Sequence, residues 1–277
     1  MLRSAVAAED GETLPLRFLI VVLIFLTISF RASWAQVETD NPSLSTTSTT
    51  VGTQRLQWES NYFFVQPRQQ LTFTGRVRFQ GEDQEGSDQP FKSFPQLLRY
   101  GIDDNLELRL ESETLAIQGP NSAFSDFSLG AKWNFFRNES WSLGLLGSIT
   151  PPSGARPFRT ERWSGGVSFL ADAALSDNQT LTLNIGGGLV DDPSRSGHLF
   201  QTFGALCYDL DIDDRWGCYA EVAVQGPDID SRIYETVIDI GADYHLSENS
   251  VINLALFRGL SLRGMDWGAS IGFGLKL

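Results

Sequence analysis

Residues that carry most enzyme chemistry are scarce here: two histidines, His198 and His245, and two cysteines, Cys207 and Cys218, in 277 residues. A zinc centre needs three or four converging ligands. His198, in a Gly/Ser/Asp loop below Asp191 and Asp192, has too few such neighbours and reads as a solvated loop histidine. His245, beside Ser247, lacks the spacing and the third orienting group of a Ser-His hydrolase. Gly186 to Gly188 are followed by neither Lys-Ser/Thr nor a helix, so they read as a crowded strand end rather than a phosphate loop. No catalytic, cofactor or metal site is assigned, and the chain is not expected to be an enzyme. Cations are short as well, 21 Lys and Arg against 34 Asp and Glu for a net charge of −13. That balance excludes a nucleic-acid partner, which would need clustered Lys and Arg.

Long apolar runs are absent except for one. Arg17 precedes FLIVVLIFLTISF, and RASWAQ follows with small residues at Ser33 and Ala35. The run is short for a spanning helix and fits a secretory signal over residues 1–35; an uncleaved anchor is the alternative. Glu9, Asp10 and Glu12 are foreign to the basic start of such a signal, which suggests that translation begins further in. No other stretch reaches the roughly 20 apolar residues of a membrane helix, so a membrane-spanning mature chain has to cross as strands.

What is present in quantity is period-two alternation. In RYGIDDNLELRLE, Leu106, Leu108 and Leu110 are interleaved with Glu107, Arg109 and Glu111. Successive side chains of a strand point to opposite faces, so this segment has one leucine face and one charged face. The same pattern runs through FSDFSLGAKWNFF, YETVIDIGADYH and DWGASIGFGLKL. Strands are expected near 54–65, 92–101, 105–112, 126–136, 141–150, 163–174, 180–188, 199–210, 215–224, 233–244, 250–257 and 266–277. Tight turns rich in Asp, Asn and Ser (IDDN, RNES, SDNQ, DIDDR, SENS) alternate with longer links (ETLAIQGPNSAF, PPSGARPFRTER, LVDDPSRSGH, QGPDIDSR, RGLSLRGM), and 69–90 is taken as an outer loop. Residues 36–53, including NPSLSTTSTTVGT, show no periodicity and read as a flexible polar lead-in that buries nothing.

An even strand count, short turns alternating with long loops, aromatics near strand ends (Trp133, Phe135, Phe136, Trp141, Trp216, Tyr244) and a secretory signal jointly predict an all-β fold: an antiparallel transmembrane β-barrel of about 12 strands over 54–277, in the bacterial outer membrane. Its polar face then lines the interior with Arg99, Glu107, Arg109, Glu111, Asp126, Lys132, Asp172, Glu221, Glu235, Asp239, Asp243 and Arg258. The expected role is passage of small solutes through a charged lumen. A barrel closed by charge pairs, with a structural or surface-binding role, and a secreted soluble β-sandwich that binds a ligand are the alternatives. Outer-membrane lipid, a small-molecule solute and the barrel-insertion machinery are the expected partners. Cys207 and Cys218 flank one predicted turn yet fall on opposite faces by parity, so a disulfide and two isolated thiols both stay open.

FPQLLRYGIDDNLELRLE, FSDFSLGAKW, PPSG, YDLDIDDRWGCYAEV and DIGADYHLSENSVINLALFRGL together resemble the outer-membrane transporter family of the MetA pathway of phenol degradation, over roughly residues 55–277. The resemblance implies an outer-membrane channel, with small hydrophobic or aromatic compounds as cargo. Two departures are visible: 69–90 is longer than the pattern, and the chain ends in Leu277 where many barrels end in an aromatic, with Phe273 nearby.

Overall fold

The computed structural model describes residues 37–68, 89–192, 197–227, 234–261 and 264–277. The expected signal, residues 1–35, and most of the outer loop at 69–90 lie outside these residues.

Among the described residues, fifteen strands follow one another: β1 Leu56–Pro67, β2 Phe91–Ser93, β3 Gln96–Gly101, β4 Leu106–Ser112, β5 Leu115–Gln118, β6 Asn121–Phe124, β7 Phe127–Arg137, β8 Trp141–Thr150, β9 Ser164–Ser176, β10 Gln179–Asp192, β11 Gly197–Asp211, β12 Trp216–Gly226, β13 Glu235–Ser247, β14 Ser250–Gly259 and β15 Met265–Lys276. All pair antiparallel with their neighbours, and β15 returns to pair with β1, Gln57 opposite Lys276 and Phe64 opposite Ala269. The sheet therefore closes as a twelve-strand barrel, because β2–β3, β4–β5 and β6–β7 each form one interrupted strand of its wall. The interruptions have local causes. Pro95 brings no N–H to the ladder, and Thr114, at the facing break, takes a left-handed φ of 44°. A closed barrel leaves no sheet edge, which overturns the soluble-sandwich alternative.

The expected long link at 113–124 is corrected: it forms β5 and β6 about a tight turn at Gly119, whose φ is +57°. Its Leu-Ala-Ile and Ser-Ala-Phe runs have the strand pattern and extend the wall. At the opposite end, one device recurs in three of the short turns. The Oδ1 atoms of Asp103, Asn138 and Asp213 each accept from the N–H groups two and three residues on, at 2.7–2.9 Å. This is why Asp and Asn punctuate the alternation. Both chain segments nearest the termini meet at this end, where Leu56 and Leu277 exchange backbone hydrogen bonds.

Parity sorts the side chains as the alternation demands. Leu108, Trp133, Ile185, Ile240, Leu254, Leu256 and Ile271 point outward and are about half exposed, whereas Glu107 and Lys132 are fully buried and Arg109 nearly so. An apolar belt of this extent would be untenable in water and suits hydrocarbon. Aromatic pairs border it at both ends, Trp133–Phe135 and Trp216–Tyr244 by the short turns, Phe64–Trp267 by the long loops. Inside, Phe63, Val65, Phe91, Phe158, Tyr219, Val237, Phe257 and Met265 form an apolar cluster on one side of the interior. Cys207 belongs to that buried cluster while Cys218 is half-buried, and both are free thiols. Parity had separated them.

Arg258 is the one expected interior residue that the structure moves. In β14, Asn253, Ala255 and Phe257 face inward and Leu254 and Leu256 outward, so Arg258 shares the leucine face. It is 53% exposed and pairs with Asp266 at 3.1 Å near the long-loop end. Leu254→Arg should cost about 2–4 kcal/mol of stability in lipid, as cations do near a bilayer midplane. Arg258→Leu should stay within about 0.5 kcal/mol. Urea titration of vesicle-inserted protein reads both, and equal effects would contradict this placement.

Candidate functional site: the barrel interior

The polar segment expected to be a flexible lead-in lies inside the barrel. From Val37, whose N–H reaches the Glu248 carbonyl at the short-turn end, the chain rises to Leu44 and Ser45. It returns to the same rim where Thr53 donates to Asp104, at 3.1 Å from N and 2.6 Å from Oγ1. Asp40, Ser45, Thr46, Ser48 and Val51 are all at least 96% buried. An irregular segment can be buried only if its backbone groups find partners, and the wall supplies them. Ser45 N and Oγ donate to Glu221, Thr46 N to Asn184, Ser48 N and Oγ to Asp172, and Val51 N to Glu107, at 2.5–3.1 Å. In return Asn184, Asn134 and Asn253 donate to the carbonyls of Thr46, Ser48 and Asn41. The hydroxyls and N–H groups of a Ser/Thr tract are what a wall of carboxylates and amides needs.

Besides Asp172 and Glu221, four expected interior residues gather in one ionic cluster at this plug. Arg99 donates to both oxygens of Glu107, at 3.0 and 3.1 Å, and to Glu59 at 3.2 Å. Arg109 bonds Asp40 and, at 3.2 Å, Glu107. Lys132 reaches Asp40 at 3.1 Å and the Thr49 carbonyl at 2.8 Å. Three cations thus face three carboxylates, Asp40, Glu59 and Glu107, in a buried cluster without net charge. Glu59 also accepts from the N–H groups of Asp40 and Asn41, both at 3.0 Å. Burial alone pushes the Asp40 carboxyl up, but Arg99, Lys132 and Arg109 outweigh it and hold the group well below the usual carboxylate range. With its folded value depressed, the stabilisation from Asp40 is complete above the unfolded value near about 4 and is lost as pH falls through the folded value.

The facing wall, β9 to β13, is acidic. Asp172 is occupied by Ser48 and, at 3.0 Å, by Thr182. Glu221 takes Ser45 and stands directly opposite Asp239 in register. Tyr219 lies over Gly241, where an added Cβ would come within 2.1 Å of the ring. Asp243 is half-buried nearer the short-turn rim, and Glu235, near the other rim, accepts from Met265 N at 2.8 Å. Glu111 and Asp126 lie beyond the plug, around a cavity of about 240 Å³ that Thr46 and Arg109 border below and Phe158 above. Its wall is Ser128, Ser148, Thr150, Ser168 and Gln201, with Phe203. Glycines belong there for packing: a Cβ on Gly188 would meet the Gly165 carbonyl at 2.4 Å.

A second inserted segment, residues 151–162, borders the cavity toward the long-loop end. Asp126 accepts the N–H groups of Ser153, Gly154 and Thr160 at 2.6–2.7 Å, and Asp191 those of Glu161 and Arg162 at 2.7 and 3.1 Å. These two carboxylates hold Phe158 against Phe91, with ring centroids 6.2 Å apart. His198 Nε2 lies 2.8 Å from the Trp163 carbonyl on the same rim.

Asp40, Glu59, Asn134, Asn184 and Asn253 were not singled out from sequence. Glu59, between Gln57 and Asn61 at every second position of β1, carried a readable parity signal. Asp40 carried none, since nothing local tells an inserted irregular segment from a solvated one.

A family model described as "Putative MetA-pathway of phenol degradation" matches residues 39–277. Comparison with curated proteins gives no match. Among solved structures, the chain is similar to the COG4313 outer membrane channel from Pseudomonas putida F1, with a TM-score of 0.64 and 15% identity over 87% of this chain and 100% of that one. It is also similar to the NanC porin, with a TM-score of 0.55 and 8% identity over 80% and 100% of the two chains. The KdgM porin gives a TM-score of 0.51 and 9% identity over 80% and 98%. At these identities the likeness is one of fold.

Asp126→Ala removes the acceptor of three backbone donors and should release residues 151–162. Trypsin cleavage at Arg159 or Arg162 in the inserted barrel should accelerate at least about tenfold, since each charge-assisted bond contributes about 1.5–3 kcal/mol. An unchanged cleavage rate would show that Asp126 does not hold the segment.

Proposed function

The chain belongs to the family of the MetA pathway of phenol degradation, and from that premise we propose that it is an outer-membrane channel that passes small solutes through the barrel interior. The observation that carries this reading is how the interior is closed. Two inserted segments of the same chain, 37–53 and 151–162, obstruct it, and both are tied to the wall by polar and ionic contacts rather than by strand pairing. Between them lies a cavity of about 240 Å³. Withdrawal of 37–53 leaves an intact barrel with a polar inner surface, the setting in which charged side chains select solutes.

The cargo in this reading is a small amphiphile, an aromatic or similarly apolar compound bearing a polar group. The cavity combines a hydroxyl- and amide-rich wall with Phe158 and Phe203, and the apolar cluster around Phe63, Phe91 and Phe257 flanks the route. This combination suits a ring with polar substituents better than an ion alone. Arg99, Glu107, Arg109 and Lys132 set selectivity near the plug, Glu111 and Asp126 around the cavity. Asp172, Glu221, Asp239 and Asp243 do so on the acidic wall, and Glu235 toward the long-loop rim. The barrel contributes no catalysis. Its partners are the lipid against the leucine face, the solute, and the barrel-insertion machinery.

A non-conducting barrel is the second reading, favoured by one observation, the neutrality of the buried Arg99 cluster. Planar-bilayer recording separates the two. Deletion of residues 38–50 should give discrete conductance steps in potassium chloride, with at least about ten times the mean open-channel current of the unaltered protein. Folded and inserted protein that stays silent after the deletion would establish the non-conducting barrel.

A further inference from the structure

We propose that Arg99, Arg109 and Lys132 form a binding site for the carboxylate group of a small organic acid, and that Asp40 of the plug is its resident occupant. This inference rests on the channel reading and names the solute class that the channel admits.

The argument begins with charge. Among the described residues of the wall, Glu59 and Glu107 are the carboxylates in ion-pair contact with the three cations, Glu111 acts on Arg109 from further off, and the third ion-pair partner, Asp40, belongs to the plug. When residues 37–53 leave, this part of the wall keeps three cations against two paired carboxylates and turns them to the open lumen. A carboxylate that enters the lumen then finds the vacated place with its cationic partners already converged. Geometry then restricts the anion. Asp40 Oδ2 is held at once by Arg109, by Lys132 at 3.1 Å and by Arg99 at 3.5 Å. The three donors come from β3, β4 and β7, neighbouring strands in continuous register, so they stay convergent without the plug. A single carboxylate fits this convergence, and arginine forks favour it over a spherical anion.

The surroundings extend the argument from carboxylate to organic acid. Arg109 also borders the cavity that Phe158 and Phe203 share with serine and threonine hydroxyls, so an acid approaching from the long-loop end brings its apolar body along an amphiphilic wall. Across the lumen, the plug presents N–H and hydroxyl donors of Ser45 and Ser48 to Glu221 and Asp172. The plug thus offers a carboxylate to the basic wall and donors to the acidic wall. A solute acid that competes for the first site loosens the whole segment, which couples binding to opening.

Benzoate is the probe and benzamide its neutral counterpart of the same shape. In planar bilayers with potassium chloride, benzoate should raise the open probability of the unaltered channel at least fivefold, and benzamide at the same concentration should leave it unchanged. Asp40→Asn, which removes the competing negative charge, should open without benzoate and, by calorimetric titration of the refolded protein, bind benzoate at least tenfold more tightly than the unaltered chain. Arg109→Gln in the Asp40→Asn background should abolish that gain. Equal effects of benzoate and benzamide, or benzoate affinity that does not respond to Asp40→Asn, would overturn the site while chloride conductance continued to support a channel. Absence of any conductance in folded, inserted unaltered and Asp40→Asn proteins would overturn the channel reading and this inference together.

Discussion

A wall that shows hydrocarbon to lipid on alternate residues has to turn the other residues inward, and whatever it turns inward must be hydrated or paired. Everything particular to this barrel follows from how that demand is met. Leu108, Leu129 and Ile240 face out, so Glu107, Arg109, Lys132 and Asp239 face in. Twelve strands enclose more space than their own inward side chains fill, and the remainder is taken up by the chain itself. Residues 37–53 enter from the short-turn end and residues 151–162 from the other.

The two insertions obey the same chemistry with different partners. In each, backbone N–H groups of an irregular segment end on inward carboxylates: Glu59, Glu107, Asp172 and Glu221 for the first, Asp126 and Asp191 for the second. The acidic balance of the chain is therefore partly an interior property, a supply of acceptors for segments without secondary structure. At Arg99, Arg109 and Lys132 the wall is cationic instead, and there the plug answers with a carboxylate of its own. Removing one member of such a buried cluster typically costs about 3–5 kcal/mol, because its former partner is left charged and alone. That cost couples the position of residue 40 to the rest of the interior.

The architecture was largely legible, since strand parity, turn chemistry and closure are local or nearly local facts. RYGIDDNLELRLE declares its faces without help from the rest of the chain, and the Asp103 turn is written in the same stretch. Arg258 shows the limit of that method: Leu254 and Leu256 assigned its face correctly, but a charge on a lipid-facing strand end was read as interior. The 113–124 link was misjudged because a Gly-Pro turn between two four-residue strands has the composition of a loop. The plug was the largest miss. A Ser/Thr tract without periodicity has the same sequence signature whether water or a barrel interior satisfies its backbone, and only the inward residues of distant strands, from Glu59 of β1 to Asn253 of β14, distinguish the two.

The central claim is that residues 37–53 close a path by lying where the structure has them. It is tested most directly by tethering them there. Ser48 Oγ and Ser142 Oγ are 2.7 Å apart, close enough for a disulfide after Ser48→Cys and Ser142→Cys with Cys207→Ser and Cys218→Ser. Single-channel recording of this protein should be silent when oxidised and show discrete steps once a reductant is added to the same bilayer. Steps of equal size and frequency in the oxidised and reduced states would contradict the account.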